Sequence, residues 1–239
     1  MAKKQLDSPT KAFFLSKILI TVSLYTFLIV NSLHNLVTPD HVPECIKDEM
    51  HELTLPINQF LEENRTYKNM LIIISSLMID VTSFSMTMRF LFFERNYKLP
   101  LTILAFYLLR GFMQSVFYMR FPSDYIWSHP GIFSVTVPYA PANDFFFSGH
   151  VGVSTICYIY FKRQNSKLMK YFAAITIIIE FCTLLITRAH YFIDLITGMI
   201  VAHYIYLVGD WVQDYLIKRQ NEKEKKAEAE ETITNANQK

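Results

Sequence analysis

Two short blocks in the C-terminal half hold the residues best suited to chemistry: Asp144-Phe-Phe-Phe-Ser-Gly-His150 and Thr187-Arg-Ala-His190-Tyr-Phe-Ile-Asp194. His190 and Asp194 are four apart, a spacing that puts two side chains on one face of a helix. A carboxylate placed there accepts a hydrogen bond from one imidazole nitrogen. That fixes the tautomer and leaves the other nitrogen to attack or to move a proton. Ser148 and Gly149 precede His150 at an expected helix start, where backbone N–H groups point outward and favour an anion. Gly149 lets the backbone approach that anion closely, and Arg188 adds a fixed positive charge. Two histidines, one carboxylate and an anion cradle suit transfer of a phosphoryl-type group through a phospho-histidine. One histidine attacks phosphorus; the other protonates the leaving oxygen and then deprotonates the acceptor. Two histidines and an aspartate are also a possible zinc set, but the histidine scheme requires neither metal nor cofactor. SGH alone or HxxxD alone is a weak pattern, whereas the two in this order form a strong one.

The elements that must position these blocks follow from composition. The chain has 239 residues, of which 51% are hydrophobic, 15% aromatic and 18% charged, with only 6 glycines. That excludes disordered, collagenous and linker-like chains. Three cysteines exclude a disulfide scaffold and any CxxC zinc site, and a net charge of +2 excludes a nucleic-acid binder. Apolar runs recur at about 12–37, 70–93, 99–119, 148–162, 168–187 and 191–215; all but the short fourth have the roughly 20 residues needed to cross a bilayer. They lack the polar face that a helix in a soluble bundle needs. The expected fold is therefore an all-α integral membrane bundle of six transmembrane helices. Residues 1–11 form an N-terminal segment, 12–215 the membrane catalytic domain and 216–239 a charged, solvated tail. The first run is too long for a signal-peptide core and no cleavage site follows it, so it is expected to stay as the first helix.

Lys and Arg placement gives the orientation. One side carries Lys3, Lys4, Lys11, Lys17, Arg95, Lys98, Lys162, Arg163, Lys167, Lys170 and the basic residues from Lys218 onward. The other has only Lys47, Arg65, Lys68, Arg120 and Arg188. Both termini are then cytosolic. The loop 38–69, with its Asn64-Arg65-Thr66 sequon, is luminal or extracellular. The fourth and sixth helices start on that same side, so His150 and His190 share one membrane level although they are 40 residues apart. Asp80, Glu180 and Arg110 fall inside expected spans, where buried charge is costly. They either pair with one another or recognise a headgroup, a carboxylate holding its cation and Arg110 its phosphate. Tyr139, Phe145, Phe146, Phe147 and Tyr191 are candidates for a cation–π cage.

At these residues the sequence resembles a known group. The DFFFSGH and HYFID blocks, with Leu108-Leu109-Arg110, look like motifs of sphingomyelin synthases and plant phosphatidylcholine:diacylglycerol cholinephosphotransferases. Both belong to the lipid phosphatase/phosphotransferase superfamily. The resemblance covers roughly residues 100–215. It implies a six-helix membrane core with His190 as nucleophile, Asp194 as its orienting carboxylate and His150 as general acid/base. The phosphatase branch's KxxxxxxRP motif is missing, and Leu184 stands where that branch has an arginine, six residues before the histidine. Both facts favour a transferase. Arg188 looks more like the plant enzymes, Asp144 more like the sphingomyelin synthases. The implied reaction moves phosphocholine or phosphoethanolamine from a glycerophospholipid to ceramide or diacylglycerol. The implied site is luminal or extracellular, in the endoplasmic reticulum, Golgi or plasma membrane. Ser148, Gly149, Arg188, Arg110 and Asp144 are the expected substrate-binding residues. The alternatives are a lipid phosphate phosphatase of the same superfamily and a non-catalytic lipid transporter or scaffold.

Overall fold

The computed structural model describes residues 46–94, 98–116, 119, 121–139 and 145–237, and side chains as far as residue 222. The expected first span at 12–37, the segment before it, Asp144 and Arg120 lie outside the described residues. The described chain is all helical: α1 Glu49–Glu63, α2 Arg65–Phe93, α3 Lys98–Val116, α4 Gly149–Arg163, α5 Lys167–Ile186 and α6 Phe192–Asn237. Four of these, α2, α3, α5 and α6 as far as Glu222, are long and apolar enough to cross a membrane.

One expectation changes, and two elements gain detail. The loop 38–69 holds a helix, α1, and α2 begins at Arg65 rather than near residue 70. Asp48 starts α1: in extended conformation (φ −118°) its Oδ1 accepts the Met50 N–H at 2.9 Å, and Glu49 and Glu52 complement the positive helix end. Secondly, α4 has 15 residues, about 22 Å, the length expected of the short fourth run and less than the roughly 30 Å hydrocarbon thickness. It is instead the central helix, buried at nearly every position from Val151 to Phe161 and packed by α2, α5 and α6. A helix lined by protein all round need not match the lipid thickness. Thirdly, the charged tail, expected to be partly helical or disordered, continues α6 as helix to Asn237.

Helix directions alternate, so α4 and α6 start at the same end. At the opposite end Asp210 of α6 pairs with Lys98 of α3 and with Arg163 of α4, the latter at 2.7 Å. The polar residues inside the spans, read as either pairing with one another or recognising a headgroup, have these partners. Asp80 accepts the Val135 and Thr136 N–H groups at 3.1 and 2.9 Å and the Thr136 hydroxyl at 2.5 Å. Glu180 accepts from Ser75 Oγ at 2.7 Å, and Arg110 Nε donates to the Phe147 carbonyl at 3.3 Å. Mutual pairing of the three is not what the bundle uses.

Candidate active site

The turn between α5 and α6 carries His190. Helix α5 ends in a Schellman cap: Ala189 N–H donates to the Leu184 carbonyl at 3.0 Å and Arg188 N–H to the Leu185 carbonyl at 3.2 Å. The cap needs a left-handed residue where glycine is usual. Here that residue is Arg188, at φ 60°. Such a conformation costs a side-chain-bearing residue about 1–2 kcal/mol, so tertiary contacts must hold it. The buried guanidinium does so: its Nη2 donates to the His51 carbonyl at 2.8 Å, while Nε has no hydrogen-bond partner among the described residues.

Helix α1 supports this turn along one face. His51 is buried, its Nε2 lies 3.0 Å from the His190 carbonyl oxygen, and its ring stacks on Tyr191. Asp48 Oδ2 accepts the Phe192 N–H at 2.6 Å, so one carboxylate serves the starts of both α1 and α6. Asn58 Nδ2 donates to the Ile186 and Asp124 carbonyls at 2.8 and 3.1 Å. Burial, reinforced by the neighbouring Arg188 charge, holds the His51 imidazole below its usual range against the opposing pull of the His190 carbonyl and of Asp48. His51 is therefore neutral at pH 7. None of these α1 residues emerged from the motif reading. The available signal was an acidic helix start, Asp48-Glu49 followed by Glu52, inside a stretch taken as loop.

His190 and Asp194 meet, but not across a helix face. His190 precedes α6, and Asp194 sits in its first turn, where Asp194 and Leu195 N–H return to the Tyr191 carbonyl at 3.0 and 3.4 Å. The carboxylate reaches back over the helix end, as in half of a capping box. Oδ2 accepts Tyr191 N–H at 3.1 Å and lies 3.3 Å from His190 Nδ1. Oδ1 accepts Phe146 N–H at 3.2 Å. The carboxylate assigns the proton to Nδ1 and leaves Nε2 as the lone-pair nitrogen.

The other block is built against this one. Ser148 caps α4, its Oγ accepting the Val151 N–H at 3.4 Å, and its own N–H donates to the Asp194 carbonyl at 2.9 Å. Ser148 Oγ thus acts as the cap acceptor and keeps its own O–H as a donor; Gly149 and His150 form the first turn. A side chain on Gly198, one turn beyond Asp194, would lie 2.6 Å from the Ser148 carbonyl oxygen, so α6 touches the start of α4 at backbone distance. The imidazoles of His150 and His190 are 6.5 Å apart between ring centres, at 67°. Trp127 packs edge-on to His150 at 6.0 Å, and Phe145 edge-on to His190 at 6.0 Å.

A cavity of about 450 Å³ opens beside His150, with Gly149 and Arg110 at the same end. Arg110 crosses over the start of α4, where a side chain on Gly149 would lie 3.2 Å from its Nε. The structure therefore brings His150, His190, Asp194, Ser148 and Gly149 together and sets Arg110 at the cavity. It places Arg188 behind the His190 turn, against α1. The aromatic candidates are mostly packing partners: Phe147 against Phe106, Phe145 against Tyr191, and the Tyr139 hydroxyl donating to Ser76 Oγ at 2.9 Å.

Comparison with known proteins adds the family. No curated protein and no solved structure matches the chain. The family model described as AtPDCT1/2 matches residues 48–210, from the cap of α1 to the ion-paired Asp210 of α6, and takes in both histidine blocks. The chain is a membrane protein of the AtPDCT1/2 family, the phosphatidylcholine:diacylglycerol cholinephosphotransferase-like family.

Proposed function

We propose that this protein moves phosphocholine from phosphatidylcholine to diacylglycerol through a histidine-bound headgroup. The observation that carries the reading is the facing pair His150 and His190, with Asp194 on one nitrogen of His190, beside a cavity within a bundle of apolar helices. Nε2 of His190 attacks phosphorus, and the bond from phosphorus to the diacylglycerol oxygen breaks. Protonated His150 gives its proton to that oxygen. In the second half-reaction the acceptor hydroxyl gives its proton to His150 and attacks phosphorus, and the phosphorus–nitrogen bond breaks. Ring centres 6.5 Å apart bring both imidazoles within reach of one phosphoryl group. Arg110 and the α4 N-terminus face the phosphate charge. Arg188 supports the His190 turn, and Asp144 extends the block before His150. Ceramide as acceptor and phosphoethanolamine as headgroup are variants of the same chemistry.

The bundle crosses the membrane six times with both termini cytosolic. The site then opens to the lumen of an endomembrane compartment or to the cell exterior. The Lys/Arg asymmetry supports this topology.

The test is purified protein in vesicles with choline-labelled phosphatidylcholine and unlabelled diacylglycerol. The expected result is label in new phosphatidylcholine built on the added diacylglycerol, lost in His190→Ala and His150→Ala. Ceramide supplied in parallel reports the second acceptor. Release of soluble phosphocholine with acceptor saturating would make the protein a hydrolase instead.

A further inference from the structure

The cavity beside His150 runs deeper than headgroup chemistry needs. It passes between α2 and α3 toward the Lys98 end of the bundle, where its lining reaches Met86 and Thr87 of α2 and Ile103 of α3. From Ile79 to Met86 on α2, and from Arg110 back to Ile103 on α3, are seven residues each. Seven residues of helix rise about 10 Å. The long axis therefore lies along the helices. Its mouth holds Arg110 and the start of α4, both suited to an anion. Its interior is mainly apolar. Although consecutive in the chain, α2 and α3 seldom approach at backbone distance; long side chains span the space, Met86 joining Phe106 in one apolar cluster with Ile103 packed against it. Both helices turn apolar side chains outward along the same stretch, Val81 and Leu91 on one, Leu101 and Leu104 on the other. Met86 is only 2% exposed, so protein backs the cavity at that point, while Thr87 beside it is exposed.

We propose that this cavity seats one acyl chain of the diacylglycerol unit, and that Met86 and Ile103 form the floor that sets the chain length it accepts. This rests on the headgroup-transfer reading of the same site. A phospholipid phosphate above an apolar chain matches a cationic mouth above an apolar shaft. Donor and acceptor both carry the diacylglycerol unit, only the donor the phosphate, and the experiment separates them.

In the first arm the donor is fixed and the diacylglycerol carries chains of about 4 or 8 carbons; in the second the acceptor is fixed and the donor chains vary. Met86→Trp and Ile103→Trp raise the floor. The expected effect is a fall of about tenfold or more in kcat/KM for long chains relative to short ones, the scale of discrimination an apolar pocket supplies. Met86→Ala shifts the ratio the other way, and Val81→Trp, on the lipid-facing side, leaves it unchanged. The arm in which the ratio moves identifies the lipid whose chain is seated. Equal ratios in all variants, with transfer intact, overturn the proposal. A readout independent of turnover accompanies it: phosphatidylcholine with a photoreactive group at the end of one chain should label the segments holding Met86 and Ile103. Labelling confined to the outer faces around Val81 and Leu104 overturns it even if no transfer is seen. Absence of transfer with the floor labelled overturns only the headgroup-transfer reading.

Discussion

The backbone N–H of Phe146 is held by the Asp194 carboxylate at 3.2 Å, so the two histidine blocks are tied together by a residue of one of them. Phe146 stands at φ 94°, a region a side-chain-bearing residue occupies at a cost of about 1–3 kcal/mol. The carboxylate that orients His190 therefore also fixes the backbone leading into Ser148 and His150.

Asp194→Asn should consequently be severe. Three N–H groups converge on two carboxylate oxygens: Phe146, Tyr191 and His190 Nδ1. An amide offers one oxygen and turns an NH₂ group toward a donor. We expect transfer to fall by about 10²–10⁴-fold, the range of a lost acid–base contribution, and to approach the Asp194→Ala value. Steady-state transfer rates of the two variants check this; near-normal turnover in the amide would show that the carboxylate charge is dispensable.

Gly198→Ala should separate the two blocks. The added Cβ would meet the Ser148 carbonyl oxygen at 2.6 Å, and a backbone atom cannot swing aside. A loss of about 1–3 kcal/mol is expected for such overpacking, with kcat falling more than KM changes. Gly111→Ala in α3 is the control, since a Cβ there meets nothing within 4 Å. It should be neutral or stabilise by about 0.5–1 kcal/mol, the usual gain over glycine in a helix. Thermal unfolding in detergent, run beside the transfer assay, distinguishes the two.

Arg188 carries two opposed effects that substitution can separate. Arg188→Gly removes the left-handed strain and the guanidinium; Arg188→Ala removes only the guanidinium. Both should lose most transfer, because the His51–Arg188 link that holds the turn is gone. The glycine variant should unfold later than the alanine variant by about 1–2 kcal/mol. Equal stabilities would mean that the turn relaxes once the arginine is removed.

His51 predicts a pH dependence of stability. Its folded value is held below the usual 6.5 by burial, so below that pH the unfolded chain binds the proton more readily. Stability from this group is full above about pH 6.5 and is lost as pH falls through it toward the folded value. Asp48, Arg188 and Asp194 are the charged groups around it. His51→Gln keeps a donor for the His190 carbonyl and removes the titration. The variant's unfolding temperature should fall less between pH 7 and 5 than that of the parent; parallel curves would remove His51 from the account.

The membrane class and the pairing of His150 with His190 were legible because both rest on long-range regularities: apolar run length, and two helices that start on the same side. Helix α1 was not. Its short amphipathic stretch lies between charged residues and looks like a loop until Asp48, His51 and Asn58 are seen to contact one distant turn. The contact between His190 and Asp194 was foreseen at the right spacing but through the wrong geometry, because a helix boundary falls between the two residues. Gly198 gave no signal by itself: its role is defined by Ser148, fifty positions away.

The glycine-free turn at Arg188 bears on how the protein matures. A cap that its own sequence disfavours does not form in isolation; it forms when α1 docks on it. His51 and His190 are separated by 139 positions, so the first partner leaves the ribosome long before the second. Closing such a distant contact comes late in assembly. Membrane insertion and site completion are then separate events, and a chain halted between them would be fully inserted yet chemically silent.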